Sequence, residues 1–199
     1  MSGLVIIDSG GANLGSVRHA LQRLGVDAPV TRDKATIRAA DRLILPGVGA
    51  AAPIMQRLRE SGVADLLREL RQPLLGICVG MQVLFERSAE GDTACLGLLD
   101  GAIEKIAQRP GVRVPHMGWN RLHRERESPL LDGIDNADYA YFVHSYAAPV
   151  DDACIASVEH GASYAALVQR RHIVGAQFHP ERSAQPGARL LHNFLAWQP

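Results

Sequence analysis

The residues best suited to chemistry lie in Gly76-Ile77-Cys78-Val79-Gly80-Met81-Gln82. An apolar run, Pro73-Leu74-Leu75, precedes them, and an amphipathic run, Val83-Leu84-Phe85-Glu86, follows. That order predicts a strand, a sharp turn and a helix, with a cysteine at the turn. Such an elbow lifts the sulfur clear of the sheet edge and sets it at a helix N-terminus, where partial positive charge favours the reactive thiolate. Gly76 and Gly80 remove side chains that would crowd a strained turn and an incoming substrate. The pattern suggests a nucleophile and leaves the substrate open.

A cysteine nucleophile needs a base, and the base needs an orienting group. The chain has eight histidines. His179 stands out by context. It follows the apolar run Ile173–Phe178, Pro180 ends that strand, and Glu181 lies two residues on, within reach to hold the imidazole. A histidine at a strand's carboxyl end would face the same sheet edge as Cys78. His116 has no base-like context and reads as structural; Cys95 and Cys154 read as plain buried thiols.

The elements that must position these groups follow from periodicity. Leu4–Ile7 predicts a strand, a helix starts near Asn13 and stops at Gly25, and Val26–Val30 predicts a second strand. Ala35–Ala40 predicts a short helix and Leu43–Leu45 a third strand, ending at Pro46-Gly47-Val48-Gly49. Pro53–Leu70 reads as helix interrupted at Ser61-Gly62, and Leu74–Ile77 is the fourth strand. This alternation predicts a doubly wound, mostly parallel sheet covered by helices in three α/β layers, a flavodoxin-like arrangement. Ligands of such sheets bind beyond the carboxyl ends of the strands. Glycine-rich loops 8–12, 46–49 and 76–80 all fall there.

The second half predicts additional antiparallel strands. Tyr139–Tyr146 has mixed alternation, and Tyr164–Gln169 with Ile173–Gln177 reads as a hairpin around Arg170-Arg171-His172. Ala188–Trp197 reads as a closing helix. No repeat or linker divides the chain, so 1–199 is expected to be a single domain.

Composition narrows the function classes. Twenty-one basic residues balance twenty-one acidic ones, which gives no nucleic-acid footprint. Arg121–Arg126 and Arg170-Arg171-His172 read as solvated loops. Three cysteines without a CxxC pair suggest no disulfide framework and fit a reducing compartment. No signal peptide or membrane span is visible, so a cytoplasmic location is expected. No metal-ligand cluster or Walker-type phosphate loop appears, and no cofactor is expected.

The elbow together with Phe178-His179-Pro180-Glu181 resembles the class I, triad-type glutamine amidotransferases. Pro46-Gly47-Val48-Gly49, Pro115-His116-Met117-Gly118-Trp119-Asn120, Tyr141–Tyr146 and His179–Ser183 resemble, more narrowly, the glutaminase subunits of imidazole glycerol phosphate synthases of histidine biosynthesis. This resemblance covers essentially the whole chain. It implies Cys78 as nucleophile, His179 as base and acid, and Glu181 as orienter. It implies Gly47, Val48, Gly49 and Val79 around the oxyanion, with the N–H groups of Val48 and Val79 as donors. Gln82, His144, Ser145 and Tyr146 would hold the glutamine.

Since no acceptor domain is read in the chain, the resemblance implies a partner that captures ammonia: the cyclase subunit, a barrel protein, as a heterodimer. Asn13, Trp119, Tyr141 and Arg182 map to that interface. Three departures stand out: Ser9, where relatives commonly have tyrosine; Ala12, where they have glycine; and Arg182, where they often have lysine. Competing readings are a glutaminase of another pathway, such as pyridoxal phosphate or aminobenzoate synthesis, a catalytically silent interaction subunit, and a cysteine hydrolase or chaperone-like relative with the same elbow.

Overall fold

A computed structural model describes residues 3–10 and 13–199. In chain order the elements are β1 Leu4–Ile7, α1 Leu14–Arg23, β2 Val30–Thr31, α2 Lys34–Ala39, β3 Arg42–Gly47, α3 Ala51–Glu60, α4 Val63–Glu69, β4 Leu74–Cys78 and α5 Val79–Gln82. There follow β5 Arg87–Ser88, β6 Thr93–Ala94, β7 Ala102–Lys105, β8 His116–Arg124, β9 Tyr139–His144, β10 Tyr146–Ala147, β11 Cys154–Glu159, β12 Ser163–Arg170, β13 Ile173–Ala176 and α6 Ala184–Ala196.

Nine strands make one sheet in the order β2-β1-β3-β4-β13-β12-β11-β8-β9. The pairings from β2 through β13 are parallel. Those from β13 through β9 are antiparallel. The fold is thus α/β, flavodoxin-like in its parallel half. β1, β3 and β4 are almost wholly buried, as helix-covered parallel strands must be. Val17, Ala20 and Leu21 of α1, Ile54, Met55 and Leu58 of α3, and Leu190, Leu191 and Phe194 of α6 supply the apolar helix faces. A small sheet, β10-β7-β5-β6, flanks the site.

Several elements differ from expectation for physical reasons. The second strand shrinks to Val30–Thr31, because Val26 N–H still bonds the Leu21 carbonyl at 3.0 Å as part of the α1 exit. The helix after the elbow is one turn, Val79–Gln82, and its field is correspondingly small; the chain then turns toward β5. The last helix starts at Ala184, ahead of Pro186-Gly187. Proline fits a first turn, where its missing N–H costs nothing. Gly187 is there for space: a Cβ would lie 2.0 Å from the Pro180 carbonyl oxygen. Arg121–Arg124 belongs to β8 rather than to a loop, since Leu122–Arg124 pair with β11 and Arg121 with β9.

The elbow is pressed against β3. A Cβ on Gly80 would lie 1.9 Å from the Leu45 oxygen, and one on Gly47 would lie 2.4 Å from Gly80 N. Gly49 differs, since a Cβ there meets nothing and only its φ of +90° is restrictive. Gly80→Ala is therefore expected to cost about 3 kcal/mol or more through backbone displacement. Gly49→Ala should cost only about 1–2 kcal/mol. Urea denaturation of the two variants beside wild type measures both.

Candidate active site

Cys78 ends β4 with φ 55° and ψ −114°, a left-handed strand-to-helix turn. An L-residue held there is strained, and such strain gathers at functional positions. The parallel ladder pairs Gly47 with Cys78, so Val48 and Gly49 emerge beside the elbow. On the other side of β4, Ala176 pairs with Ile77, so the chain leaving β13 reaches His179 beside the same sulfur.

His179 Nδ1 lies 2.8 Å from Glu181 Oε1, and both side chains are almost fully buried. Asn13 Nδ2 donates to the same oxygen at 2.5 Å and sits 3.3 Å from His179 Nδ1. Burial alone would push the His179 pKa down. The Cys78 sulfur and the Glu181 carboxylate overcome it and hold the imidazole up at about 10. Burial likewise raises the Glu181 carboxyl, but the His179 hydrogen bond and charge, with Asn13, bring it below its ordinary value. Among the described residues His179 Nε2 has no hydrogen-bond partner of ordinary geometry, although the Cys78 sulfur is near enough to favour its proton. That nitrogen is the free end of a Cys-His-Glu arrangement.

A cavity of ≈ 380 Å³ opens over the elbow, bounded by Val48, Gly49, Cys78, Val79, Gln82 and His179. Val143, His144, Ser145 and Tyr146 form its opposite wall, so every residue expected at the oxyanion or substrate lies on it except Gly47, which is packed beneath. Gln82 Nε2 donates to the Tyr146 carbonyl at 2.8 Å and to Gln177 Oε1 at 3.0 Å. Both amide hydrogens are thus used, which leaves Gln82 Oε1 as the atom for a ligand. A second cavity, of ≈ 400 Å³, lies on the far side of His179 and is bounded by Asn13, Ser16, Tyr141 and Arg182.

Three expected interface residues therefore share one hollow, with Arg182 exposed and Tyr141 half-buried. Trp119 is 53% exposed on β8, 6.0 Å from the Tyr141 ring in an edge-on arrangement. Asn13 has an additional place, on the His179–Glu181 pair. Ser9 is buried and its hydroxyl donates to the Pro46 carbonyl at 2.6 Å, anchoring the strand end before Val48. Ala12 falls outside the described residues.

Two residues escaped the sequence reading. Gln177, fully buried, offers Nε2 to the Cys78 sulfur at 3.9 Å. A lone polar residue inside the apolar run Ile173–Phe178 was the available signal. Glu90 is the acidic side chain lining the cavity, held by the Ala51 N–H at 3.0 Å. Nothing local marks it, because it comes from a surface turn after β5.

Residues 5–197 match the family described as glutamine amidotransferase class-I. The chain belongs to the class-I glutamine amidotransferases. This amidotransferase is 58% identical over 195 residues to the imidazole glycerol phosphate synthase subunit HisH of Xanthomonas oryzae pv. oryzae, covering 98% of each chain. It is 54% identical, at the same coverage, to the HisH subunit of Xylella fastidiosa. A crystal structure described as a glutamine amidotransferase superposes with TM-score 0.76 at 24% identity, covering 98% of each chain. The glutaminase domain of Trypanosoma brucei CTPS with bound acivicin gives 0.66 at 13%, covering 98% of this chain and 94% of that one. At such identities these two likenesses show the fold.

The raised His179 pKa makes a testable statement about this amidotransferase. A folded pKa near 10 against an ordinary 6.5 means a stabilising contribution complete below pH 6.5 and lost as pH rises through about 10. Cys78→Ala removes the sulfur, so the His179 pKa should fall toward 6.5 and that loss of stability with rising pH should shrink. Carbon-detected NMR titration of His179, with denaturation midpoints at several pH values, reads both.

Proposed function

We propose that this amidotransferase is the glutaminase subunit of an imidazole glycerol phosphate synthase, which hydrolyses glutamine and delivers the ammonia to a cyclase partner in histidine biosynthesis. The observation that carries this reading is Cys78 and His179 on one cavity wall, with Glu181 buried behind the imidazole, in a chain 58% identical to a HisH subunit along nearly its whole length.

The chemistry follows from which atoms face the cavity. Glutamine enters with its α-ammonium toward Glu90, the one acid on the wall, and with the 143–146 segment and Gln82 Oε1 holding its polar ends. The Cys78 sulfur attacks the side-chain carbonyl carbon and forms an S–C bond. The oxyanion lies between the N–H of Val79, which opens α5 and lacks an intrahelical acceptor, and the N–H of Val48. His179 Nε2 gives its proton to the leaving nitrogen as the C–N bond breaks. Water then attacks the thioester, His179 takes its proton, and glutamate leaves as the thiolate is restored. Glu181 and Asn13 hold the imidazole ring in place throughout.

Ammonia freed into water is protonated and loses its nucleophilicity, so a capturing partner is part of the reading. The β8–β9 edge presents Met117, Trp119 and Tyr139, each more than half exposed. Aromatic and methionine side chains of this kind suit a protein interface. The hollow bounded by Asn13, Tyr141 and Arg182 shares Val48, Val143 and His179 with the substrate cavity and offers ammonia a way out on that side. The chain acts as a single domain in the cytoplasm. Among the described residues no helix is long and apolar enough to cross a membrane.

The test is glutamate release from glutamine by the chain alone, then with the cyclase partner and its nucleotide substrate. Near-silence alone and strong stimulation in the complex are expected. Cys78→Ala should lower the stimulated rate by more than about a thousandfold. Gly49→Val, which disfavours the φ of +90°, should remove much of the stimulation. High activity without the partner, unchanged on adding it, would overturn the gated-subunit reading.

A further inference from the structure

From the wall of the substrate cavity a chain of side chains runs back to Asn120 and His116, which the hydrolysis itself does not use. Asn120 Nδ2 is 3.1 Å from His116 Nε2. His116 Nδ1 is 3.1 Å from His144 Nε2. His144 Nδ1 is 2.8 Å from the Tyr146 carbonyl oxygen. That carbonyl also accepts from Gln82 Nε2, which donates to Gln177 Oε1, whose own amide reaches the Cys78 sulfur.

The direction of this chain is fixed from both ends by carbonyl groups. The Tyr146 carbonyl only accepts, so His144 Nδ1 carries a hydrogen and, in the neutral ring, Nε2 is an acceptor. At the other end, Asn120 Nδ2 also donates to the Glu159 carbonyl at 2.9 Å, while Asn120 Oδ1 accepts the Arg121 N–H at 2.8 Å. The amide is therefore oriented with its NH₂ toward His116 Nε2, which must accept. His116 Nδ1 then carries the hydrogen that His144 Nε2 needs. The two ends assign the same tautomer to His116 independently.

We propose that Asn120 and His116 are positioning residues of the glutaminase site: a one-directional hydrogen-bond relay, Asn120 to His116 to His144 to the Tyr146 carbonyl, sets the 143–146 wall and Gln82 against the substrate. The proposal rests on the glutaminase reading and extends it to β8, the strand that carries Trp119. His116 and His144 are buried. The His116 ring stacks on Phe142 at 4.8 Å and on His160 at 4.1 Å, so it has little freedom to turn away. A proton added to either ring would point an N–H at another N–H. Burial, with His144 and His160 nearby, accordingly pushes His116 down to about 3, and burial, with His160 and His179, pushes His144 down to about 4. His160, which bonds the Arg113 carbonyl, and His179 are the titratable groups acting on the pair.

The discriminating substitution is Asn120→Asp, which keeps size but replaces the donor with an acceptor. It forces a hydrogen onto His116 Nε2 and leaves Nδ1 facing His144 Nε2 with no hydrogen, or else protonates His116. Asn120→Ala only removes the terminal donor. In the complex with the cyclase partner and its nucleotide substrate, N120D should lower kcat/KM for glutamine about tenfold, chiefly through KM. N120A should cost about threefold or less. ¹⁵N NMR of the wild-type chain should find both histidines neutral with Nδ1–H between pH 5 and 8, and His116 changed in N120D.

Equal or smaller loss in N120D than in N120A, or an Nε2–H tautomer at either histidine in wild type, would overturn the relay. Failure of the wild-type complex to hydrolyse glutamine would instead overturn the functional reading. The NMR result on the relay would stand apart from it.

Discussion

The backbone ladders on either side of β4 are the constraint on which the site depends. One pairs Gly47 with Cys78 and the other pairs Ala176 with Ile77. Side-chain direction in a strand alternates with period two, so a slip of one residue in either ladder would send the sulfur or the following loop to the wrong face. The fit is enforced at close quarters, because Gly80 and Gly47 let the elbow backbone touch β3, and Gly76 lets the α5 turn pack on β4, at distances no Cβ could tolerate. Catalytic geometry is thus set by main-chain hydrogen bonds and by missing side chains before any polar group takes part.

The antiparallel half of the sheet then returns to the same place. β9 lies at the far end of the strand order, four ladders from β13. Yet the His179 N–H bonds the Tyr141 carbonyl at 2.9 Å, and the Tyr141 N–H bonds Ser183 Oγ at 2.9 Å. The sheet must curl for its edge strand to reach the end of a central one, as a strongly twisted sheet can. Curling brings the 143–146 wall over Cys78 and closes the substrate cavity. It also leaves Met117 and Trp119 of β8 and Tyr139 of β9 exposed.

Cys78, His179 and the strands that carry them were legible because each obeys a local rule: a buried apolar run, a glycine-flanked turn, a proline after a histidine. The parallel half followed from alternating strand and helix patterns. What was not legible depended on contacts between segments distant in sequence. Asn13 reads as a helix start, and only the fold brings it to Glu181, 168 residues away. Glu90 reaches the cavity from a surface turn, and Gln177 looks like one polar residue in a strand until β4 places a sulfur beside it. The closing helix reads from Ala188 rather than Ala184, because local rules cannot see that Gly187 packs against Pro180.

His179 and His144 show how far one side chain type can be divided within a single site. Both are buried, and burial lowers the pKa of each. His179 faces a sulfur and a carboxylate, groups that gain by its charge, and it is held up at about 10. His144 faces a carbonyl on one nitrogen and another histidine's N–H on the other, so a second hydrogen has no acceptor, and it is held down at about 4. The same low dielectric that makes an unmatched charge costly strengthens a matched one. In the proposed reaction the first is fitted to carry a proton to leaving ammonia, while the second keeps a fixed tautomer and a fixed hydrogen-bond direction.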